Sequence, residues 1–521
     1  MRTIATPRRI GLVAAVVLAL LAAACSSDGG DATSDTEPRQ VEVATGGTAT
    51  MVQPVDPATL DPTTVTNGPT SGSQIVSAIY DALFTVADDG TFEPRIATDF
   101  ASDDGITWTM TLRDDVMFSD GTPLDADAVM AQWDLLKNTV RASVWSYFQK
   151  IDSMRVVDPT TFEVTLVEEN RQFYRTPLIN QATWIPSPTA RAAAGEDFGN
   201  QPVGAGPFML QSRTQGSETT LVRNPDYWQE GLPKLDTLVI RTINDPQQLA
   251  DTILTGAAQG GTGVPDVAAQ QTADAGLERV GVNTFGGGCF LFNDKQAPFD
   301  DIRARQAVYL AVDMEELNQT VSDGASETPL TLFPEGSPFY DPDQAFPEPD
   351  PDEAQRLFDE LAAEGTPVQF SILTPGGDAQ TRSTALQTQL AAYENVTAEL
   401  NVVDGATYGP TLFAGDFQLG LFGLTGDDPE PQIASMSSDW PIPIASMGSP
   451  EIDQDIRDGQ TATDLEGRKE AYDSLAATLN DIFKIKFMSR SRGWFVMDDT
   501  VSGVELYGQG TPLWENFGLV G

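Results

Sequence analysis

The sequence contains no histidine, only two cysteines, and 30 lysines and arginines against 76 aspartates and glutamates. Without histidine there is no Ser-His-Asp or Cys-His catalysis, no imidazole acid–base chemistry, and no histidine-based zinc, nickel or haem site. Two cysteines, Cys25 and Cys289, allow no disulfide framework. A formal charge of −46 excludes a nucleic-acid partner, because few cations are available to neutralise a phosphate backbone. The plain reading of the acid excess is a solvated surface, which keeps a protein soluble and favours cationic ligands. No phosphate-cradling P-loop is present, and no segment beyond the N-terminal region is long and apolar enough to span a bilayer. The expectation is therefore a protein with no metal and no cofactor, in which carboxylates carry whatever chemistry there is.

What is present is a long chain able to build cores. At 521 residues, 40% hydrophobic and 8% aromatic, it is expected to form two to four structural units. It opens with MRTIATPRRI, bearing three arginines, followed by the apolar run GLVAAVVLALLAAA and then Cys25. A basic start and an apolar stretch too short for an ordinary spanning helix read as a secretion signal. The LAAAC ending resembles the lipobox of bacterial lipoproteins, in which the chain is cut before the cysteine and that residue is lipidated. This implies a signal peptide over 1–24, lipidation of Cys25 and, in SSDGGDATSDTEPRQ, a flexible tether over 25–40. The expected location is outside the cell, anchored to the outer face of the cell membrane. Cys289, in the apolar run GGGCFLFND, reads as a buried, inert thiol.

Helices and strands are interleaved throughout, an α/β pattern. In WTMTLRDDVMF, Trp108, Met110 and Leu112 alternate with threonines before Arg113-Asp114-Asp115, a hairpin signal, and TFEVTLVEE alternates in the same way. Val129, Trp133, Leu136 and Val140 recur at helical spacing, and Ala307, Leu310, Ala311, Met314 and Leu317 mark one helix face begun by aspartates. DPDEAQRLFDELAAEG has Asp350 as N-cap, Pro351 at the first position, Glu353 in capping-box place and Gly365 as stop. A last helix carries Tyr472, Leu475, Ala476 and Leu479. FSDGTPLDADAV predicts a turn at Asp120-Gly121 and a capping aspartate, and Tyr227 and Trp228 of RNPDYW are expected to pack.

Several segments in order resemble the extracytoplasmic solute-binding proteins of peptide-type ABC importers, family 5, whose members bind oligopeptides, dipeptides or nickel. They are LDPTTVTNGPTSGSQIVSAIYDALF, EPRIATDFASDDGITWTMTLRDDVMFSDGTPLDADAVM, GAGPFMLQSRTQGSETTLVRNPDYW, LDTLVIRTINDPQQLADTILTG, FLFNDKQAPFDDIRARQAVYLAVD and the terminal SPEIDQDI…EGRKEAYDSLAATLNDIF. Together they run from about residue 48 to the end. The resemblance implies a two-lobed, type II periplasmic-binding-protein-like fold with an extra subdomain on the first lobe. The first lobe would comprise 41–79, 190–284 and 485–521, the subdomain 80–189 and the second lobe 285–484, with hinge crossings near 284 and 484. It implies a monomer that captures a small solute, above all a peptide, in a closing cleft and delivers it to the transmembrane subunits of an ABC permease. A carboxylate-dependent secreted hydrolase, a solute sensor and an oligosaccharide binder are the alternatives. Nickel capture through histidine is excluded.

In FGLTGDDPEP, the run DFQLGLFGLTG alternates as a strand ending at Gly426, followed by Asp427, Asp428 and Pro429. The residues alone leave turn chemistry, metal ligation, acid catalysis and capture of a cationic ligand open. The family resemblance implies that Gly423 and Thr425 pair through their backbone with an extended peptide, and that Asp427 takes its terminal ammonium. Leu424 stands where the family usually has tryptophan, and Asp428 is expected to shape the turn or face water.

Overall fold

Three sheets organise the chain. The computed structural model describes residues 42–65, 72–87, 90–140, 144–179, 181–282, 284–440, 448–490 and 492–521. The expected secretion signal, Cys25 and the expected tether lie outside these residues. Among the described residues no helix is long and apolar enough to cross a membrane.

The first sheet has seven strands, in the spatial order Glu278–Val280, Trp494–Met497, Gly260–Val264, Thr48–Gln53, Thr237–Thr242, Glu218–Arg223 and Phe208–Thr214. Its central strand runs parallel to both neighbours, and the remaining pairs are antiparallel. Alternate side chains of that strand feed different cores: Ala49 and Met51 pack with Ile75, Ile79, Trp184 and Trp514, whereas Val52 packs with Leu249 and Ile253. Period-two alternation explains this two-sided burial.

A second, four-stranded antiparallel sheet, Ala97–Ala101, Thr107–Leu112, Thr161–Leu166 and Ile151–Asp158, falls within the span expected for the subdomain. Thr107–Leu112 carries the expected alternation, with Trp108, Met110 and Leu112 buried. Its partners are Ala97–Ala101 and Thr161–Leu166, however, and not a strand across Arg113-Asp114-Asp115. The hairpin expected there is replaced by a single bridge, Met117 to Pro123, around Asp120-Gly121. Trp133 lies on the helix Ala126–Asn138, capped by Asp125; Val140 falls beyond its end and is exposed.

The third sheet, of the second lobe, has the order Val396–Val403, Val368–Pro375, Leu419–Gly426, Phe285–Phe292 and Ile485–Ser489. Its two faces are covered by separate cores, since Phe290 and Phe292 point to one and Cys289 and Leu291 to the other. Cys289 is fully buried, and burial pushes its thiol far above the ordinary range. A Cβ on Gly286 would lie 2.2 Å from the Leu424 carbonyl oxygen, and one on Gly287 2.0 Å from that of Ser489. Glycine is therefore required for the flanking strands to close on this one. Ile485–Ser489 pairs with Phe285–Phe292 in this sheet, whereas Trp494–Met497 lies in the seven-stranded one.

The helix Pro351–Ala363 is capped as expected, the Glu353 N–H donating to Asp350 at 3.0 Å. Leu465–Ile482 buries Tyr472, Leu475, Ala476 and Leu479. The expected single helix through 307–317 is two helices, Ile302–Ala311 and Met314–Ser322. Asp313 interrupts them and accepts from the Glu315 and Glu316 N–H groups. A capping carboxylate competes with helical continuation at such a break.

Candidate functional site

The strand Leu419–Gly426 is central in its sheet for only part of its length. On one side it pairs with Phe285–Phe292 throughout, from Leu419 opposite Phe292 to Gly426 opposite Phe285. On the other it meets Val368–Pro375 only at Leu419 and Gly420. At Leu421 the gap is filled by a side chain: Tyr408, on the helix Gly405–Phe413, donates to the Leu421 carbonyl and accepts from its N–H at 2.9 Å. Both polar backbone groups of Leu421 thus face away from Phe285–Phe292. Backbone direction alternates along a strand, so the N–H and C=O groups of Gly423 and Thr425 face the same open side. Gly423 is exposed, and a Cβ there would meet no atom within 4 Å. The Thr425 carbonyl accepts from Gln509 Nε2 at 3.1 Å, leaving a second lone pair. Thr425 Oγ1 is buried with no partner among the described residues. Leu424 is 1% exposed and packs in the second-lobe core, so its side chain does not shape the open side.

Asp427 follows directly. It is exposed, with protein atoms crowded around its carboxyl. Burial, and then the neighbouring charge of Asp428, push its carboxyl up to about 6, against the N–H groups of Asp427 and Asp428 and the more distant Arg175. Among the described residues no side chain bonds to it. The result is a carboxylate with unused acceptor capacity at the end of an unpaired strand edge.

Asp428 is different, and the expectation that it faces water is corrected. It does shape the turn, accepting from the Glu430 N–H at 3.0 Å. It is also buried between two guanidiniums, with Arg468 Nη2 at 2.5 Å and Arg175 Nη1 at 2.8 Å. Burial works against its charge, but Arg468 and then Arg175 outweigh it and hold the carboxyl below its ordinary range. Such a locked carboxylate is poorly suited to carry protons. Arg468 comes from the helix Leu465–Ile482 and Arg175 from the short 3-10 stretch Phe173–Ile179, so Asp428 ties together two elements far apart in sequence. Alongside it, Tyr147 Oη is 3.1 Å from Gln432 Oε1, Lys150 Nζ is 2.8 Å from Asp439, and the Arg171 N–H donates to the Gln460 carbonyl at 2.8 Å. Tyr147 and Trp440 meet edge to face at 4.7 Å.

Sequence reasoning missed Arg175, Arg468, Tyr408 and Glu430. The signal that existed was local: an aspartate pair followed by a third acid between two prolines demands cations from elsewhere, but nothing in the sequence says which arginines supply them. Tyr227 and Trp228 also do more than pack. Tyr227 Oη donates to Asp81 at 2.8 Å and Trp228 Nε1 at 3.0 Å, completing a buried cluster with Arg95 and Glu515. Among the described residues no group of histidine, cysteine, aspartate or glutamate has the geometry to hold a metal ion.

Residues 91–439 match the family described as bacterial extracellular solute-binding proteins, family 5 Middle. The glutathione-binding protein GsiB of Salmonella paratyphi A is 30% identical over 336 residues, which cover 64% of this chain and 63% of that relative. The match thus spans less than two thirds of the relative's length. Among solved structures, AgaA of A. tumefaciens R10 in complex with agropinic acid aligns with a TM-score of 0.76 at 22% identity, covering 91% of this chain and 99% of its own. DppA of Helicobacter pylori in complex with the peptide STSA aligns with a TM-score of 0.76 at 20% identity, covering 92% and 99%. The two solved structures establish the mixed α/β periplasmic-binding-protein fold, and the match over residues 91–439 places the chain in the bacterial extracellular solute-binding proteins of family 5, a family of binding proteins.

Proposed function

We propose that the protein captures a short peptide in the cleft beside Leu419–Gly426 and hands it to the transmembrane subunits of an ABC importer. The observation that carries this reading is an open backbone edge that ends in an unpaired carboxylate. Gly423 and Thr425 pair with the peptide backbone, which suits varied cargo because such bonds ignore side chains. Asp427 takes the terminal ammonium and so fixes which end of the peptide lies there. Two relatives give chemical support: GsiB is named for glutathione and DppA was solved with STSA, and both ligands carry a free amino group beside peptide bonds. The decisive experiment is mass spectrometry of ligand released from protein purified from its native host. Peptides are expected; a bound oligosaccharide would overturn the peptide assignment and leave the fold untouched.

Ligand closes the lobes without a metal. Small-angle scattering is expected to show compaction when a binding peptide is added, equally with and without a chelator. Loss of that compaction in the chelator would count against the reading.

The mature protein is held at the membrane through Cys25, and the polar stretch after it gives the binding unit reach. Metabolic labelling with an alkynyl fatty acid is expected to mark the wild type and not Cys25→Ala. Equal labelling of both would sink the anchor.

A further inference from the structure

Beyond Asp428 lies a cavity of about 60 Å³ bordered by Tyr147, Phe173, Glu430, Trp440 and Gln460. On that measure one water needs roughly 10–15 Å³, so the space suits a few waters or the head group of one side chain. Glu430 is 1% exposed, and its Oε1 has no hydrogen-bond partner among the described residues. Its other oxygen has only a long contact, 3.5 Å from Gln460 Nε2. A buried carboxyl left this way bears a desolvation cost that a donor in the cavity would remove.

The other charged groups around the cavity have hydrogen-bond partners, Arg457 among them through Gln454 Oε1 at 3.1 Å. Lys150 is held by Glu168 at 2.7 Å and by Asp439 at 2.8 Å, and Asp453 accepts from the Ser438 N–H at 2.7 Å. Four acids, Glu168, Glu430, Asp439 and Asp453, and two bases, Lys150 and Arg457, line the cavity, and Asp428 with its two partners Arg468 and Arg175 lies beside Glu430, so acids still outnumber bases. Tyr147 and Trp440 add aromatic rings, whose faces attract cations. An anion would meet surplus negative charge, and an apolar group would leave Glu430 unsatisfied.

We propose that this cavity is a subsite for a positively charged side chain of the bound peptide, whose ammonium or guanidinium completes the missing bond at Glu430 Oε1. The proposal rests on the peptide-binding reading above. With Glu430 three residues after Asp427 in sequence, we place the side chain concerned on the residue bearing the terminal ammonium. The cavity wall is made partly by the subdomain, through Tyr147 and Phe173, so the subsite is complete only when subdomain and second lobe meet.

The test compares Lys-Ala-Ala with norleucine-Ala-Ala by calorimetry; norleucine is apolar, close to lysine in length, and has no side-chain ammonium. Wild type is expected to bind the lysine peptide at least tenfold more tightly. Glu430→Gln is expected to abolish that preference while leaving the norleucine peptide within about threefold of its wild-type affinity. Equal wild-type affinities would overturn the subsite and leave the peptide reading standing, with water as the cavity's occupant. Binding of neither peptide would overturn both. The wild-type comparison decides the matter even if Glu430→Gln fails to fold, and a preference that persists unchanged in a folded Glu430→Gln would assign the selectivity to another group.

Discussion

Replacing Asp427 with asparagine is expected to weaken binding of a free-amine peptide about a hundredfold and to leave binding of its N-acetylated form nearly unchanged. The hundredfold corresponds to about 3 kcal/mol, the low end of the cost of stranding one member of a buried ion pair. Asparagine keeps the shape and one acceptor oxygen, so the loss isolates the charge. Acetylation removes the ammonium, and with it the only group that distinguishes the two side chains. Isothermal titration of both peptides against both proteins gives the answer in a single cycle. Equal losses for the two peptides, or none for either, would reduce Asp427 to a turn residue.

The same carboxylate sets a pH dependence. Burial and the Asp428 charge raise Asp427 to about 6 in the ligand-free protein, and an ammonium beside it lowers that value in the complex. Binding therefore takes up no proton near pH 7.5 but must release one below about 6, so affinity falls as the pH drops through 6 and then below it. For stability the sign is opposite to that of a salt-bridged acid. A carboxyl raised above its unfolded value of 3.8 is protonated more readily in the folded protein, so its contribution favours folding at low pH and declines as pH rises from about 4 to 6. The ligand-free Asp427→Asn protein is thus expected to melt above the wild type at pH 7, while its free-amine peptide affinity is lower. Gain of stability with loss of binding marks a residue held for a ligand.

Much of the frame was legible because burial imposes periodicity. Thr107–Leu112 and Leu465–Ile482 each bury one repeating set of apolar residues, and Asp350-Pro351 signals a helix start that tertiary context does not override. What failed depended on partners distant in sequence. Alternation identifies Thr107–Leu112 as a strand but not its neighbours, the strand Ala97–Ala101 just before it and the distant Thr161–Leu166. The helix run through 307–317 breaks because Asp313 caps a second helix, a choice that an apolar face does not record. In the site, the open edge depends on Val368–Pro375 diverging after Leu373 pairs with Gly420 and on Tyr408 filling the gap at Leu421. Leu424 lies deep in the second-lobe core, although its place between two cleft-facing residues drew attention to it.

The adjacent aspartate is expected to behave in the opposite way. Asp428→Asn should destabilise the protein by about 3–5 kcal/mol, because it leaves Arg468 and Arg175 buried without their shared anion. Asparagine can still accept from the Glu430 N–H, the bond that makes the turn, so a residue acting only in the turn would cost under about 1 kcal/mol. In the second lobe a loss of 3 kcal/mol corresponds to a melting shift of roughly 6–12 °C, readable by calorimetry. Arg468 stacks over the rings of Phe339 and Tyr472 at 4.8 and 5.5 Å and cannot leave without opening that core. Arg175 belongs to the subdomain and can regain water when the bodies part, so Arg175→Met should cost less stability than Asp428→Asn and act more on closure. The pH signature separates the two aspartates again. The carboxyl of Asp428 is held below its ordinary value of 3.8, so its contribution is complete above about pH 5 and is lost as pH falls through the depressed value. The melting difference between wild type and Asp428→Asn should therefore be largest near neutrality and shrink below pH 4. A difference that stayed constant over that range would mean that shape, and not charge, holds Asp428 between the two arginines.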